Sequence, residues 1–158
     1  MVGGGNYALT TAIEMSGIAK EVHLIVRSEL RADEIYQKEY ASVENIITHK
    51  PAKVTAIHGE TLMQGITITD PKTNKETRLA VDGLFLAIGH QPNNGFMEGF
   101  VEMNDRGEVM IDVNCTTSRP GVFAAGDITE IHGKQVIIAA GEGAKAALEA
   151  YAYLSRNR

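Results

Sequence analysis

Two groups of residues in this chain have types and spacing suited to ligand chemistry, and the first is Gly126-Asp127 with the stretch that follows it. The turn Arg119-Pro120-Gly121 precedes them. Proline fixes its own φ and glycine accepts φ > 0, so the chain reverses there. Val122 to Ala125 is then an apolar run long enough for one buried strand. A strand that stops at Gly-Asp leaves a carboxylate at the carboxyl edge of a sheet, where open α/β sheets bind ligands. Asp127 can accept hydrogen bonds from sugar-like hydroxyls. From Lys134-Gln135 to about Leu154 the chain reads as a long helix, with Ile137, Gly141, Ala144, Leu148 and Tyr151 at three- and four-residue spacing. Its start near Gln135-Val136 offers unpaired N–H groups and a positive dipole end. Small residues (Ala139, Ala140, Gly141, Gly143, Ala144) permit close approach to its backbone. A reduced flavin carries negative charge near N1 and C2=O, and such a helix end would stabilise it. The same residues also suit an ordinary strand, turn and helix with a surface aspartate.

The second group lies at the other end, in Gly3-x-Gly5-Asn6-x-Ala8. Gly3 permits a tight turn, Gly5 lets the backbone approach a pyrophosphate, and Ala8 permits close helix–sheet contact. A helix to about Ser16 follows, with Leu9, Ala12 and Ile13 on one face and Gly17 as its stop. Its N-terminus would hold phosphates, which makes Gly3, Gly5, Asn6 and Ala8 candidate cofactor contacts. A strand from Val22 to Val26 comes next, the order a dinucleotide-binding unit requires. Only Met1 and Val2 precede the glycines, so the first strand of that unit is expected to be essentially missing.

The elements that must position these groups belong to a globular chain. It has 158 residues, 44% of them hydrophobic and 22% charged, which suits one domain or two small ones. A net charge of −5 argues against nonspecific nucleic-acid binding. No window is apolar enough to span a membrane, and no basic-then-apolar leader is visible. The single Cys115 excludes an internal disulfide framework or a Cys-x-x-Cys pair, and fits a reducing cytoplasm. With no partner cysteine and no nearby activating histidine, it reads as a buried or incidental thiol. The five histidines show no metal-ligand spacing, so no metal is expected.

Between the two groups, Ala32 to Tyr40 reads as a short helix, and Ile46-Ile47 and Ala52 to His58 as strand pieces. Gly65 to Thr69 and Lys75 to Leu79 form a hairpin around Pro71 to Asn74. Val81 to His90 reads as a buried strand ending at Gly89. Gln91 to Gly95 is a turn-rich linker, followed by a turn at Asn104 to Gly107 and a strand at Val109 to Ile111.

The stretch TSRPGVFAAGDITEIHGKQVIIAAGEGAKAALEAYAYL resembles the second flavin-binding segment of the low-molecular-weight thioredoxin reductase family, including the flavoprotein subunit of alkyl hydroperoxide reductase. The resemblance covers nearly all of this chain but only about the last half of the family. It implies an α/β, Rossmann-like FAD/NAD(P)-binding fold of the two-dinucleotide-binding-domain flavoprotein type, truncated at the N-terminus. Residues 1–91 would be the NAD(P)-binding domain and 92–158 the C-terminal segment of the FAD-binding domain. In the family the aspartate binds the ribityl chain and the next helix start faces the isoalloxazine. Those roles carry over to Gly126, Asp127, Lys134, Gln135 and Val136. The segment AIG-x-x-PN is matched at Ala87 to Asn93, so Ile88, Gly89 and His90 are candidate nucleotide contacts, with His90 read as a boundary residue rather than a base. Where thioredoxin reductases resemble HRRxxxR, this chain has VRSxxR, which keeps Arg27 and Arg31. Arginines at that strand end bind a 2′-phosphate. The peroxide-reductase subunit uses NADH and has glutamate where this chain has Val26. The resemblance therefore implies FAD and NADPH, with NADH as the alternative.

The activity implied is electron transfer from NAD(P)H through FAD to the disulfide of a thioredoxin-like or peroxiredoxin-type protein, by a cytoplasmic homodimer that binds neither nucleic acid nor membrane. Lacking the redox cysteine pair, this chain alone is expected to have little activity. Two alternatives stand beside it: a nucleotide-binding remnant or half of a split flavoprotein, and a flavoprotein of the ferredoxin–NADP reductase type.

Overall fold

The computed structural model describes residues 1–157. The chain falls into two compact units, Met1–Gly89 and a second that starts at His90.

The first unit begins with α1 (Asn6–Ser16), β1 (Val22–Ile25), α2 (Glu34–Ala41) and β2 (Ile46–His49). β1 and β2 pair in parallel, with Val22 opposite Ile46 and Ile25 opposite His49. The first strand, expected to be missing, is present in miniature. Val2 forms parallel bridges to both Ile25 and Leu86. Four hydrogen bonds complete the seam: Ile25 N–H to Met1 O at 2.8 Å, Gly3 N–H to Ile25 O at 3.0 Å, Val2 N–H to Phe85 O at 2.9 Å and Ala87 N–H to Val2 O at 2.7 Å. Three residues thus satisfy the backbone groups that β1 would otherwise leave unpaired. Ala8, Leu9 and Ala12 of α1 pack on Val22, Leu24 and Val26. A fully buried leucine or valine such as Leu9, Leu24 or Val26 contributes about 1.5–3 kcal/mol.

The remaining strands, β3 (Lys53–His58), β4 (Gly65–Thr69) and β5 (Glu76–Leu79), form an antiparallel sheet in the order β3-β4-β5. The expected hairpin therefore gains β3 as a third strand. Its Ile66 and Ile68 pack with Ile25 and Ala52 in a second core cluster. At the β4–β5 turn, the Asp70 carboxylate accepts the Lys72 amide at 2.7 Å.

The apolar run 81–90 departs from expectation. It forms no strand beyond the Leu86 bridge, and Leu86 and Ile88 are 61% and 72% exposed. Its outer edge has no neighbour in this unit, and a single one-residue partner is too little to bury it.

Among the described residues of the second unit, strand pairing is confined to isolated bridges: Met103 with Val109, Val109 with Thr129, and Thr116 with Phe123. The strands expected at 109–111 and 122–125 are each reduced to one bridged residue. α3 (Val136–Arg156) is the one long element. The residues at helical spacing are open to solvent: Ile137, Leu148 and Tyr151 are 79%, 70% and 74% exposed. The preceding loops are met instead by Ala139, which lies against Gly126, by Glu142, which is the buried residue of the helix, and by Tyr153. Tyr153 covers Gly121 and meets Phe123 edge-on, with ring centroids 6.3 Å apart. No helix among the described residues is long and apolar enough to cross a membrane.

Candidate functional site

In the first unit the candidate residues converge on the loop before α1. Gly5 is the N-cap, and its helix start has neither a side-chain cap nor an acidic residue in its first turn. Those amides remain available to an anion. Gly3 has φ +145°, and a Cβ there would stand 2.3 Å from Ala87 O, so only glycine fits. A Cβ on Gly5 would meet nothing within 4 Å, leaving open space over the loop. Ala8 is buried against the core below.

The loop 27–33 is tied to this one through the backbone. Arg31 and Ala32 both donate their N–H groups to Gly4 O, at 2.6 and 3.1 Å. Asn6 closes the tie: its Nδ2 donates to Asp33 Oδ2 and its Oδ1 accepts the Asp33 amide, both at 2.8 Å. Its carboxamide is therefore committed to shaping the site. Gly4 and Asp33 were absent from the sequence-based site, although Gly4 is also crowded, since a Cβ there would lie 2.9 Å from Glu29 O. Arg27 and Arg31 are exposed, and neither enters an ion pair among the described residues. Glu29 between them pairs with Lys50. Ile88 and Gly89 follow Ala87, whose carbonyl abuts Gly3. Gly89 has φ +121° with open space at its Cβ position.

The second unit gathers the other candidates around the short 3-10 turn Gly126–Ile128. Gly126 has φ +79°, and a Cβ there would lie 3.0 Å from Ala139 Cβ, so the turn rests on the first turn of α3. The Gly126 amide donates to Glu142 Oε2 at 2.7 Å. The Gly126 carbonyl accepts both the amide and the hydroxyl of Thr129, at 2.9 and 2.8 Å. Lys134 holds the far side: its Nζ donates to Asp127 O at 3.3 Å and to Thr129 O, and pairs with Glu108 Oε1 at 3.1 Å. The hydrogen bond from Asn104, joined by that from Lys134, keeps the Glu108 carboxyl below the usual carboxylate range. Lys134 is thus a brace of the turn, with its ammonium already engaged.

Asp127 is exposed and its carboxylate makes no hydrogen bond among the described residues. Gln135 is the N-cap of α3 in an extended conformation, with no side-chain cap. Val136 and Ile137 beside it are exposed, and no side chain caps the amides of this helix start. His90 is exposed on the same unit. Cys115 is buried, with its Sγ donating to Glu142 O at 3.6 Å, and burial pushes its thiol pKa up. A raised thiol pKa disfavours the nucleophilic thiolate. Sequence reading missed Glu142, whose only signal was a carboxylate between Gly141 and Gly143 in an otherwise small-residue stretch.

Against known proteins, the model of one family, the pyridine nucleotide-disulphide oxidoreductases, matches residues 1–145. The chain is 43% identical to an alkyl hydroperoxide reductase subunit of Staphylococcus aureus over 158 residues, which is 99% of this chain and 31% of that protein. Among solved structures it is similar to thioredoxin reductase of Lactococcus lactis in its FR conformation, with TM-score 0.85 and 29% identity over 98% of this chain and 52% of that one. It is also similar to thioredoxin reductase of T. acidophilum, with TM-score 0.79 and 34% identity over 96% of this chain and 50% of that one. The chain therefore spans about a third to a half of the length of these relatives.

Proposed function

From the premise that this chain belongs to the pyridine nucleotide-disulphide oxidoreductase family, we propose that it forms the reduced-nucleotide-binding and flavin-facing portions of an enzyme that passes electrons from NADPH through FAD to a disulfide of a thioredoxin- or peroxiredoxin-type protein. Bound FAD would supply the two-electron relay between hydride donor and disulfide. The residues of this chain do the holding and the charge stabilisation. The Gly3–Gly5 loop and the α1 amides receive the pyrophosphate of the nucleotide, and Arg27 and Arg31 receive its 2′-phosphate. Ile88 and Gly89 line its nicotinamide side. Asp127 accepts the ribityl hydroxyls. The uncapped start of α3 after Gln135 favours negative charge on the reduced ring.

The observation that supports this most is the turn at Asp127, seated on the first turn of α3 while its carboxylate and the helix amides stay unspent. A titration of FAD into the purified chain, read by flavin fluorescence, tests it. Saturable quenching that weakens in Asp127→Ala is expected. Absence of quenching in the unsubstituted chain would refute the flavin assignment.

Only one cysteine is present, so the reducible pair must lie outside these residues. Disulfide reduction by the chain alone is therefore not expected. The uncapped start of α1 beneath the open Gly5 supports a second reading, a nucleotide-binding module that holds no flavin. Calorimetry showing NADPH binding with no FAD binding would support it.

A further inference from the structure

We infer that Glu142 is a positioning residue for the flavin-facing turn, holding the Asp127 carboxylate in register with the start of α3; this rests on the flavin reading above. Glu142 is the buried residue of α3, although its neighbours Gly141 and Gly143 are exposed. Glutamates are almost never fully buried without a partner, because the carboxylate must recover its lost hydration. Its partner is a backbone amide, the N–H of Gly126 at 2.7 Å. A bond from N–H to a carboxylate is roughly twice as strong as a neutral one.

The bond acts on the residue just before Asp127. Gly126 sits at φ +79°, one of several backbone conformations that glycine adopts at similar energy. A short exposed turn built on such a glycine would sample several arrangements. Glu142 removes that freedom on the α3 side, and Lys134 removes it on the other by bonding the carbonyls of Asp127 and Thr129. Asp127 itself contributes no side-chain bond to the clamp and keeps its carboxylate free for a ligand. The ordering cost of the site is thus met before a ligand arrives, which is how preorganisation raises affinity. The Glu142 carbonyl also accepts the Cys115 thiol, so the same residue joins the turn, the helix and the buried loop.

The test compares riboflavin, which carries the ribityl chain, with lumiflavin, which carries only the ring system. Both are titrated by fluorescence into the full chain and into Glu142→Ala and Glu142→Gln. Glu142→Ala should weaken riboflavin by about tenfold, the size of one charge-assisted hydrogen bond, and leave lumiflavin unchanged. Glu142→Gln keeps an acceptor and should restore most of the riboflavin affinity. The Gly126 amide resonance should move upfield in Glu142→Ala and return in Glu142→Gln. Equal losses for both flavins, or none for either, overturn the positioning role while leaving the flavin reading in place. If the unsubstituted chain binds neither flavin, the flavin reading falls and this inference with it. If Glu142→Ala does not fold, Glu142→Gln alone decides. A riboflavin-selective loss of about threefold, the difference between a charged and a neutral acceptor, supports the role, and a loss shared with lumiflavin refutes it.

Discussion

Asn6 and Asp33 are joined by two hydrogen bonds of 2.8 Å each, one in each direction, across 27 residues of sequence. This clasp fixes the loop that carries Arg27 and Arg31 against the first turn of α1. Asn6→Ala should free that loop without emptying the core, since Asn6 is exposed. Stability should fall by only about 1 kcal/mol. NADPH affinity should fall about tenfold, more than NADH affinity, in calorimetric titrations of both nucleotides. Equal losses would mean that the clasp does not serve the 2′-phosphate.

The two arginines make a sharper claim. Neither is paired with an acid among the described residues. Arg27→Gln and Arg31→Gln should each weaken NADPH by about tenfold, within the range of a charge-assisted hydrogen bond, and leave NADH nearly unaffected. If both variants keep their NADPH affinity, the preference for the phosphorylated nucleotide is wrong.

Gly3 and Gly5 should separate stability from binding. Gly3→Ala forces a Cβ to within 2.3 Å of Ala87 O at φ +145°, so the seam through Val2 must shift. Strain of this kind costs on the order of 1–3 kcal/mol or more, readable as a lower urea midpoint. Gly5 has φ −92° and open space. Gly5→Ala should therefore leave the stability within about 0.5 kcal/mol of the original, as for other unstrained surface changes. Its methyl group would nonetheless stand where a pyrophosphate must approach, so NADPH affinity should drop.

The Glu108 carboxyl is held below its ordinary value first by Asn104 and then by Lys134. A carboxylate with a depressed folded-state pKa stabilises the fold above its unfolded pKa and loses that contribution as pH falls through the folded value. The Tm difference between the unsubstituted chain and Glu108→Gln should therefore be constant from neutral pH down to about 5. Below 4.5, the ordinary glutamate value, it should shrink. A difference that stays constant to pH 3 would show that the charge of Glu108 does not brace Lys134.

Some of this was legible in the sequence and some was not, for identifiable reasons. The glycine-rich loop, α1, β1, α2 and the hairpin strands were readable because turn residues, helix stops and alternation are local signals. The run at 81–90 was misread because apolar composition favours burial without specifying a partner. The spacing along α3 does not specify its inward face for a related reason. Ile137, Leu148 and Tyr151 share a helical spacing, yet they are exposed and the buried residue of the helix is a carboxylate, Glu142. Glu142 could not be recognised as a structural acceptor because the amide it serves lies sixteen residues away.

The sequence by itself determined where the backbone needs glycine, where helices start and stop, and which ligand chemistry the side chains of Asp127, Arg27 and Arg31 suit. These depend on φ preferences, capping and side-chain functional groups, all properties of residues close together in the chain. Only the tertiary structure decided which polar groups are spent and which stay free: Lys134, Asn6 and Glu142 are spent, while Asp127, Arg27 and Arg31 are not. A hydrogen bond between distant residues depends on how the elements pack, and the order of residues does not encode that distance.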